Sequence, residues 1–188
     1  VGTLPPNLLP SLQHLTHLHL SSLLSIELPP LVSWDGGAPS GPHLRSLRLR
    51  GASLPPEVVN LASFSSLERL QLRCCPVHAT LPALLHSLSG LTLLDIGYVF
   101  PFNLGAPEEE ADQAGSVNEW RVRMVAGCGQ LRQLNLHNPE LLALEIPHGA
   151  LQQLSYLGLV NLHFSVLHVA ASWASLPSLK CLRLTGWG

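Results

Sequence analysis

The pattern LxxLxL occurs seven times along the 188-residue chain and constrains its fold more than any other feature. The copies begin at Leu15, Leu44, Leu67, Leu91, Leu131, Leu154 and Leu179, and the fourth ends in isoleucine. Their start-to-start spacings are 29, 23, 24, 40, 23 and 25 residues, and five of these six lie at or near the ~20–29-residue period of one class of stacked repeats. Such self-similarity predicts one domain built from repeated units.

Each copy has the alternation of a β-strand, in which successive side chains point to opposite faces. In the stretch LRLRG, Leu47 and Leu49 are expected to point inward, and Arg48 and Arg50 outward. A single unit cannot bury its leucine face, whereas stacked units can. We therefore expect a parallel sheet on the concave side of a curved solenoid. The return segments PPEVVNLASFS, PALLHSLSG and HVAASWASLP are predicted to form short helices or 3₁₀ turns on the convex side.

These motifs resemble the leucine-rich-repeat family over essentially the whole chain. GTLPPNLLPSLQHLTHLHL and ATLPALLHSLSGLTLLDI are similar to plant-type repeats, and VAGCGQLRQLNL is similar to the cysteine-containing repeats of F-box receptors. The resemblance implies an α/β horseshoe of about seven repeats over residues 1–188. Many such repeats carry an Asn three residues after the last strand leucine. Here those positions hold Leu23, Ala52, Cys75, Val99, Pro139, Leu162 and Trp187, so we expect irregular turns and leave the repeat subclass open.

The 40-residue spacing places an insertion, residues 101–129, between the fourth and fifth repeats. Pro107 followed by Glu108, Glu109 and Glu110 is typical of a helix start, because acidic side chains favour the positive end of the helix dipole. Two interpretations stay open. The insertion is either a solvated loop followed by an ordinary convex helix, or a protruding element that contacts a partner.

Charge is distributed unevenly over the repeats. If each copy is taken as the eight residues that begin at its first leucine, the seven copies together hold eight basic and two acidic side chains, a net charge of +6. The rest of the chain holds two basic and ten acidic side chains, a net charge of −8. Such a field steers an acidic partner onto the concave sheet. The predicted partner-binding residues are Arg45, Arg48, Arg50, Arg69, Arg73, Arg132, His137, Tyr156, Lys180 and Arg183.

Four of the arginines, Arg48, Arg50, Arg69 and Arg73, are expected to form one cluster on neighbouring strands. Three interpretations of the basic residues remain. They fill exposed positions and pair with Glu68 or the acidic loop, they bind an acidic or phosphorylated protein, or they bind nucleic acid. The sequence favours nucleic acid least among these ligands, because Tyr156 is the only aromatic residue in the outward strand positions and a stacking pattern is missing.

The histidine-rich stretch LQHLTHLHL, residues 12–20, raises the question of a metal site. His17 and His19 are expected to be neighbours on the outward face of the first strand, with His14 before it. A structural zinc ion needs four ligands, and the matching positions of the next strand hold serine and arginines, which repel a cation. We therefore expect solvent-facing histidines and no metal.

The sequence indicates no enzyme and no cofactor, since P-loop, GxGxxG, HExxH and GxSxG motifs are absent. We expect a non-enzymatic protein–protein interaction module, part of a larger chain, assembly or receptor, that binds an acidic or phosphorylated partner. The alternative is a structural subunit that binds RNA or phosphate-rich surfaces. The family resemblance also implies two further versions, the substrate-recognition part of an F-box ubiquitin ligase and the sensor half of a nucleotide-binding immune receptor.

The four cysteines form no CxxC pair, so buried free thiols are expected. With no glycosylation sequon and no signal-type segment, an intracellular and most simply cytoplasmic location is favoured. Residues 156–176 approach the length of a membrane span, but Asn161, His163 and His168 and the repeat phase argue against one. The sequence ends in LRLTGWG, immediately after the last predicted strand, so we expect uncapped ends and poor solubility of the isolated chain.

Overall fold

The computed structural model describes residues 2–3, 14–27, 43–53, 66–74, 76–77, 88–97, 100–101, 128–137, 151–162 and 176–186. Within these segments the strands are β1 (Gly2–Thr3), β2 (His17–Glu27), β3 (Ser46–Ser53), β4 (Arg69–Arg73), β5 (Pro76–Val77), β6 (Leu93–Gly97), β7 (Phe100–Pro101), β8 (Gln133–His137), β9 (Tyr156–Leu162) and β10 (Cys181–Gly186).

Eight of these strands form one open sheet in the order β1-β2-β3-β4-β6-β8-β9-β10. Every pairing in it is parallel. Its seven longer strands are the seven LxxLxL copies, each beside the next copy along the chain. The predicted parallel sheet is confirmed, and its regular order is compatible with a repeat architecture.

The leucines of the motif stand in register and form the core. Leu47, for example, is aligned with Leu70, and Leu70 with Leu94. Leu49, Leu70 and Leu94 are at most 1% exposed, as are the leucines that open five of the copies, Leu44, Leu67, Leu91, Leu131 and Leu154. Burying one such side chain stabilises the fold by about 1.5–3 kcal/mol, so the aligned leucines are the main source of stability.

A repeated pair of hydrogen bonds sets the distance between successive copies. The carbonyl of Thr16 accepts the amides of Arg45 and Ser46, at 2.8 and 3.0 Å. The equivalent carbonyls of Arg45, Glu68, Thr92, Arg132 and Ser155 each accept two amides from the following copy, at 2.8–3.0 Å. The step from Thr92 to Arg132 has the same geometry although it spans the 40-residue spacing. The insertion therefore leaves the stacking of the strands unchanged.

Several features were not foreseen. β5 and β7 form a separate parallel pair, with Pro76 aligned with Phe100. The register between β2 and β3 shifts between Ser21 and Ile26, so β2 carries extra residues there. No described residue is helical. The convex helices and the 101–129 insertion fall largely outside the described residues, so both stay predictions.

The last strand of the sheet has an uncovered leucine face. Leu182 and Leu184 of β10 are 43% and 44% exposed, whereas their counterparts Leu157 and Leu159 in β9 are fully buried. Among the described strands, β10 pairs only with β9, so one side of its leucines meets no further strand. Within the described residues, no helix is long and apolar enough to cross a membrane. The first seven residues of the apolar 156–176 stretch form strand β9.

Candidate functional site

The sheet face opposite the leucine core carries three rows of outward side chains, which we call the polar face. Its first row is His17, Ser46, Arg69, Leu93, Gln133, Tyr156 and Cys181. Its second row is His19, Arg48, Gln71, Asp95, Asn135, Gly158 and Arg183. Its third row is Ser21, Arg50, Arg73, Gly97, His137, Val160 and Thr185.

The ten predicted partner-binding residues all fall on this face or at its edge. Seven of them lie in the three rows. The other three, Arg45, Arg132 and Lys180, lie one residue before their strands, beside the turn carbonyls. Arg45 forms an exposed ion pair with Glu68, with Nη1 and Oε1 3.4 Å apart, as one of the three interpretations of the basic residues anticipated.

Arg48, Arg50 and Arg69 are exposed on the neighbouring strands β3 and β4, and we call them the arginine patch. Adjacent strands lie about 4.8 Å apart, so Arg48 and Arg69 are diagonal neighbours, and Arg50 lies one row beyond Arg48 on the same strand. No carboxylate of the described residues forms an ion pair with any of them. Within the described part of the chain, their positive charges are available to a ligand.

Arg73 has a different environment from the rest of its predicted cluster. Its Nη2 donates to Asp95 Oδ2 at 2.8 Å, and its Nε donates to Asp95 Oδ1 at 3.3 Å. Gln71 Nε2 also donates to Asp95, at 3.3 Å, and His137 Nε2 lies 3.0 Å from Arg73 Nη2. We call these four residues the Asp95 cluster. Although Asp95 points to the polar face, its side chain is only 5% exposed, because its neighbours cover it.

Gly97 makes this cluster possible. Arg73 and His137 stand in the same row but two strands apart, about 10 Å, with Gly97 of β6 between them. A Cβ atom at Gly97 would lie 2.9 Å from the Cβ of His137. Because glycine has no side chain, Arg73 and His137 meet above β6 and enclose Asp95. Gly158 is similar in the second row, where an added Cβ would overlap the Oδ1 atom of Asn135.

Protonation of His137 is disfavoured in this setting. Burial lowers its pKa below the ordinary value of 6.5 and outweighs the charge of Asp95, which raises the pKa, while the charges of Arg73 and Arg183 lower it further. At neutral pH the imidazole is therefore uncharged, and its Nε2 accepts a hydrogen bond from Arg73 Nη2. The single charges of Arg73 and Asp95 then cancel, so the Asp95 cluster is neutral overall.

This neutral cluster divides the basic surface in two. On one side lies the arginine patch of β3 and β4. On the other side lie Lys180 and Arg183 at β10, both exposed, which we call the far basic group, while the exposed Arg132 lies at the edge of the face just before β8. β10 is four strand steps from β4, or about 19 Å. The four arginines predicted to cluster lie on the adjacent strands β3 and β4, with Arg50 opposite Arg73. Arg73 differs from the other three because its charge is paired with Asp95. The isolated Gly97 within a strand pattern was the sequence signal for a close approach of side chains.

The cysteines only partly follow expectation. Cys128 is buried as predicted, and burial raises the pKa of its thiol to about 11, so it is unreactive. Cys74 and Cys181 are exposed, so the expectation of buried thiols is wrong for both. Cys181 occupies an outward position of β10, and Cys74 follows β4 with a left-handed φ of 52°. Cys75 lies outside the described residues.

The histidines of the first motif copy are placed as expected, with His17 and His19 exposed on the polar face in β2 and His14 before that strand. Among the described residues, no three His, Cys, Asp or Glu side chains are grouped to hold a metal ion.

Comparisons of the chain with protein-family models, curated proteins and solved structures gave no match.

Proposed function

We propose that this chain is a non-enzymatic protein–protein interaction module of leucine-rich-repeat type, which binds an acidic or phosphorylated protein segment on its polar face. One observation carries the proposal. Eight of the ten basic residues of the chain lie on the polar face or at its edge, while ten of the twelve acidic residues lie outside the seven motif copies.

Electrostatic complementarity is the physical basis of such binding. A surface of one sign accelerates the encounter with a partner of opposite sign and disfavours partners of like sign. The guanidinium group suits this role because its planar fork matches carboxylate and phosphate oxygens. The Asp95 cluster ties β4, β6 and β8 together through side chains around a buried carboxylate, which supports a rigid surface between the two basic regions.

A protein ligand fits the polar face better than RNA does. Single-stranded nucleic acid is bound by a positive track interleaved with aromatic rings on which bases stack. Tyr156 is the only Phe, Tyr or Trp in the three rows, and it lies on β9, away from the arginine patch. The 101–129 insertion remains a proposed second contact, and membership of an F-box ligase or an immune receptor rests on the family resemblance alone.

Fluorescence anisotropy with labelled octa-glutamate and octa-lysine peptides tests the proposal at low ionic strength. We expect the full chain to bind octa-glutamate and not octa-lysine. Arg48→Gln/Arg50→Gln should weaken binding about 5–30-fold, because two exposed charge pairs contribute about 0.5–1 kcal/mol each. The matched control is Gln152→Glu/Gln153→Glu, since these exposed turn residues lie outside the motif copies and outside the 101–129 insertion, and the substitution lowers the net charge by the same two units.

A loss of less than twofold is expected for this control. No binding of octa-glutamate, or an equal loss in both double variants, would contradict the proposal. If an RNA oligonucleotide is bound more tightly than octa-glutamate through the same arginines, the RNA-binding alternative is correct.

A further inference from the structure

We infer that the arginine patch is a subsite for one phosphorylated side chain, a phosphate monoester carried by the partner protein. The inference rests on the proposed function and narrows it, because it assigns a ligand class to Arg48, Arg50 and Arg69. Arg73 neighbours these three residues in sequence and register, but it is not part of the subsite because its charge is paired with Asp95.

The register brings the three side chains to one place. Arg48 and Arg50 are successive outward residues of β3, about 6.7 Å apart along the strand. Arg69 lies on β4, one row from Arg48, so the two are diagonal neighbours on adjacent strands. Long side chains at such diagonal positions reach one another. Arg50 and Arg69 are two rows apart with Arg48 between them, so the three long side chains can converge on a single small anion only if they reach toward the position of Arg48.

The surrounding charges leave this group of cations uncompensated within the described residues. The nearest basic neighbours are already paired, Arg73 with Asp95 at 2.8 Å and Arg45 with Glu68 at 3.4 Å. No described carboxylate forms an ion pair with the patch itself. The patch thus holds a charge of +3 beside a neutral cluster. Within the described residues, the carboxylates of Glu68 and Asp95 are already paired with other arginines.

A phosphate monoester matches this arrangement better than a carboxylate. A carboxylate carries one charge on two oxygens and satisfies one guanidinium fork. Two like charges would then remain close together. A phosphate monoester carries about −1.5 to −2 at pH 7 on three acceptor oxygens, so it can engage all three arginines and neutralise most of their charge.

The extent of the patch favours an isolated phosphate over a nucleic-acid backbone. The patch covers two strands, and β2 beside it presents only His17, His19 and Ser21 in the three rows. The neutral Asp95 cluster lies on its other side, and the far basic group follows at about four strand steps, or about 19 Å. This surface offers no continuous positive track for successive phosphates.

Calorimetric titration of the full chain tests the inference with three 13-residue peptides of Gly, Ala and Ser that differ only at the central residue. This residue is phosphoserine, glutamate or serine. We expect the phosphoserine peptide to bind at least tenfold more tightly than the glutamate peptide. Arg48→Gln/Arg50→Gln/Arg69→Gln should reduce this ratio to about one, whereas Arg132→Gln/Lys180→Gln/Arg183→Gln, with the same change in net charge, should leave it unchanged.

The single variant Arg69→Gln controls for a folding defect in the triple variant. We expect it to reduce the ratio of phosphoserine to glutamate peptide affinity about threefold, which corresponds to the energy of one exposed charge pair. Equal binding of the phosphoserine and glutamate peptides would overturn the phosphate subsite. An equal decrease of the affinity ratio in the two triple variants would also overturn it. If octa-glutamate still binds in those cases, the proposed function stands and only the subsite is wrong. Tighter binding of a U12 oligonucleotide than of the phosphopeptide, through the same three arginines, would also overturn it.

Discussion

Replacing Asp95 with alanine should destabilise the fold through the loss of its pairing with Arg73. The side chains are 5% and 37% exposed, so the carboxylate is buried and the guanidinium keeps partial contact with water. Breaking a fully buried pair costs about 3–5 kcal/mol, because it leaves an uncompensated charge. Arg73 can turn toward solvent when Asp95 is absent, so the cost is smaller.

The hydrogen-bond distances indicate how much stability the Asp95→Ala substitution removes. The contact of 2.8 Å between Arg73 and Asp95 is a strong charge-assisted bond, worth about 1.5–3 kcal/mol net. The contacts at 3.3 Å from Arg73 Nε and from Gln71 are long and contribute less. We expect Asp95→Ala to lower the free energy of unfolding by about 2 kcal/mol.

A double-mutant cycle with Asp95→Ala and Arg73→Ala, followed by urea unfolding, isolates the pairwise energy. We expect a coupling of about 1–2 kcal/mol. The pair of Arg45 and Glu68 is the matched control, because its side chains are 62% and 46% exposed and 3.4 Å apart, and we expect a coupling of about 0–0.5 kcal/mol there. Equal couplings in the two cycles would show that the Asp95 cluster is not a buried interaction.

Three further predictions concern titration, reactivity and packing. Because the pKa of His137 is lowered in the folded chain, the unfolded chain binds the proton more readily, so the free energy of unfolding should decrease as the pH falls below 6.5. His137→Gln should show a smaller decrease between pH 7.5 and 5, measured by urea unfolding, and an identical pH dependence would refute this role. At pH 8 only about a thousandth of Cys128 is thiolate, given its pKa of about 11, so iodoacetamide should modify the exposed Cys74 and Cys181 first, as peptide mass spectrometry would reveal; early modification of Cys128 would contradict its burial. Gly97→Ala should cost about 1–3 kcal/mol of stability, since its Cβ would lie 2.9 Å from that of His137, and a cost below about 0.5 kcal/mol would mean that the close approach is not required.

The sequence was sufficient for the features that repeat. Leu47 and Leu49 are buried and Arg48 and Arg50 are exposed as predicted, because a period of two in a strand fixes which face each residue occupies. The spacing of the motif also indicated the parallel order of the strands. Both features follow from local alternation and from the need of each leucine face for a covering neighbour.

The Asp95 cluster could not be predicted in the same way. Its contacts join residues 22 to 64 positions apart in sequence, and they depend on which residues share a row after the strands pair. A charged residue in an outward position is normally exposed. Asp95 is buried because Gln71, Arg73 and His137 close over it, and Gly97 leaves the space that His137 occupies. The division of the basic surface therefore required the register as well as the repeat.

The most direct test of binding on the polar face is photo-cross-linking with an acidic peptide that carries a central benzophenone, mapped by mass spectrometry on the full chain. We expect the cross-linked residues to lie on β3 and β4, around Arg48, Arg50 and Arg69. Cross-links confined to the 101–129 segment or to other parts of the chain would contradict binding of the acidic partner on the polar face.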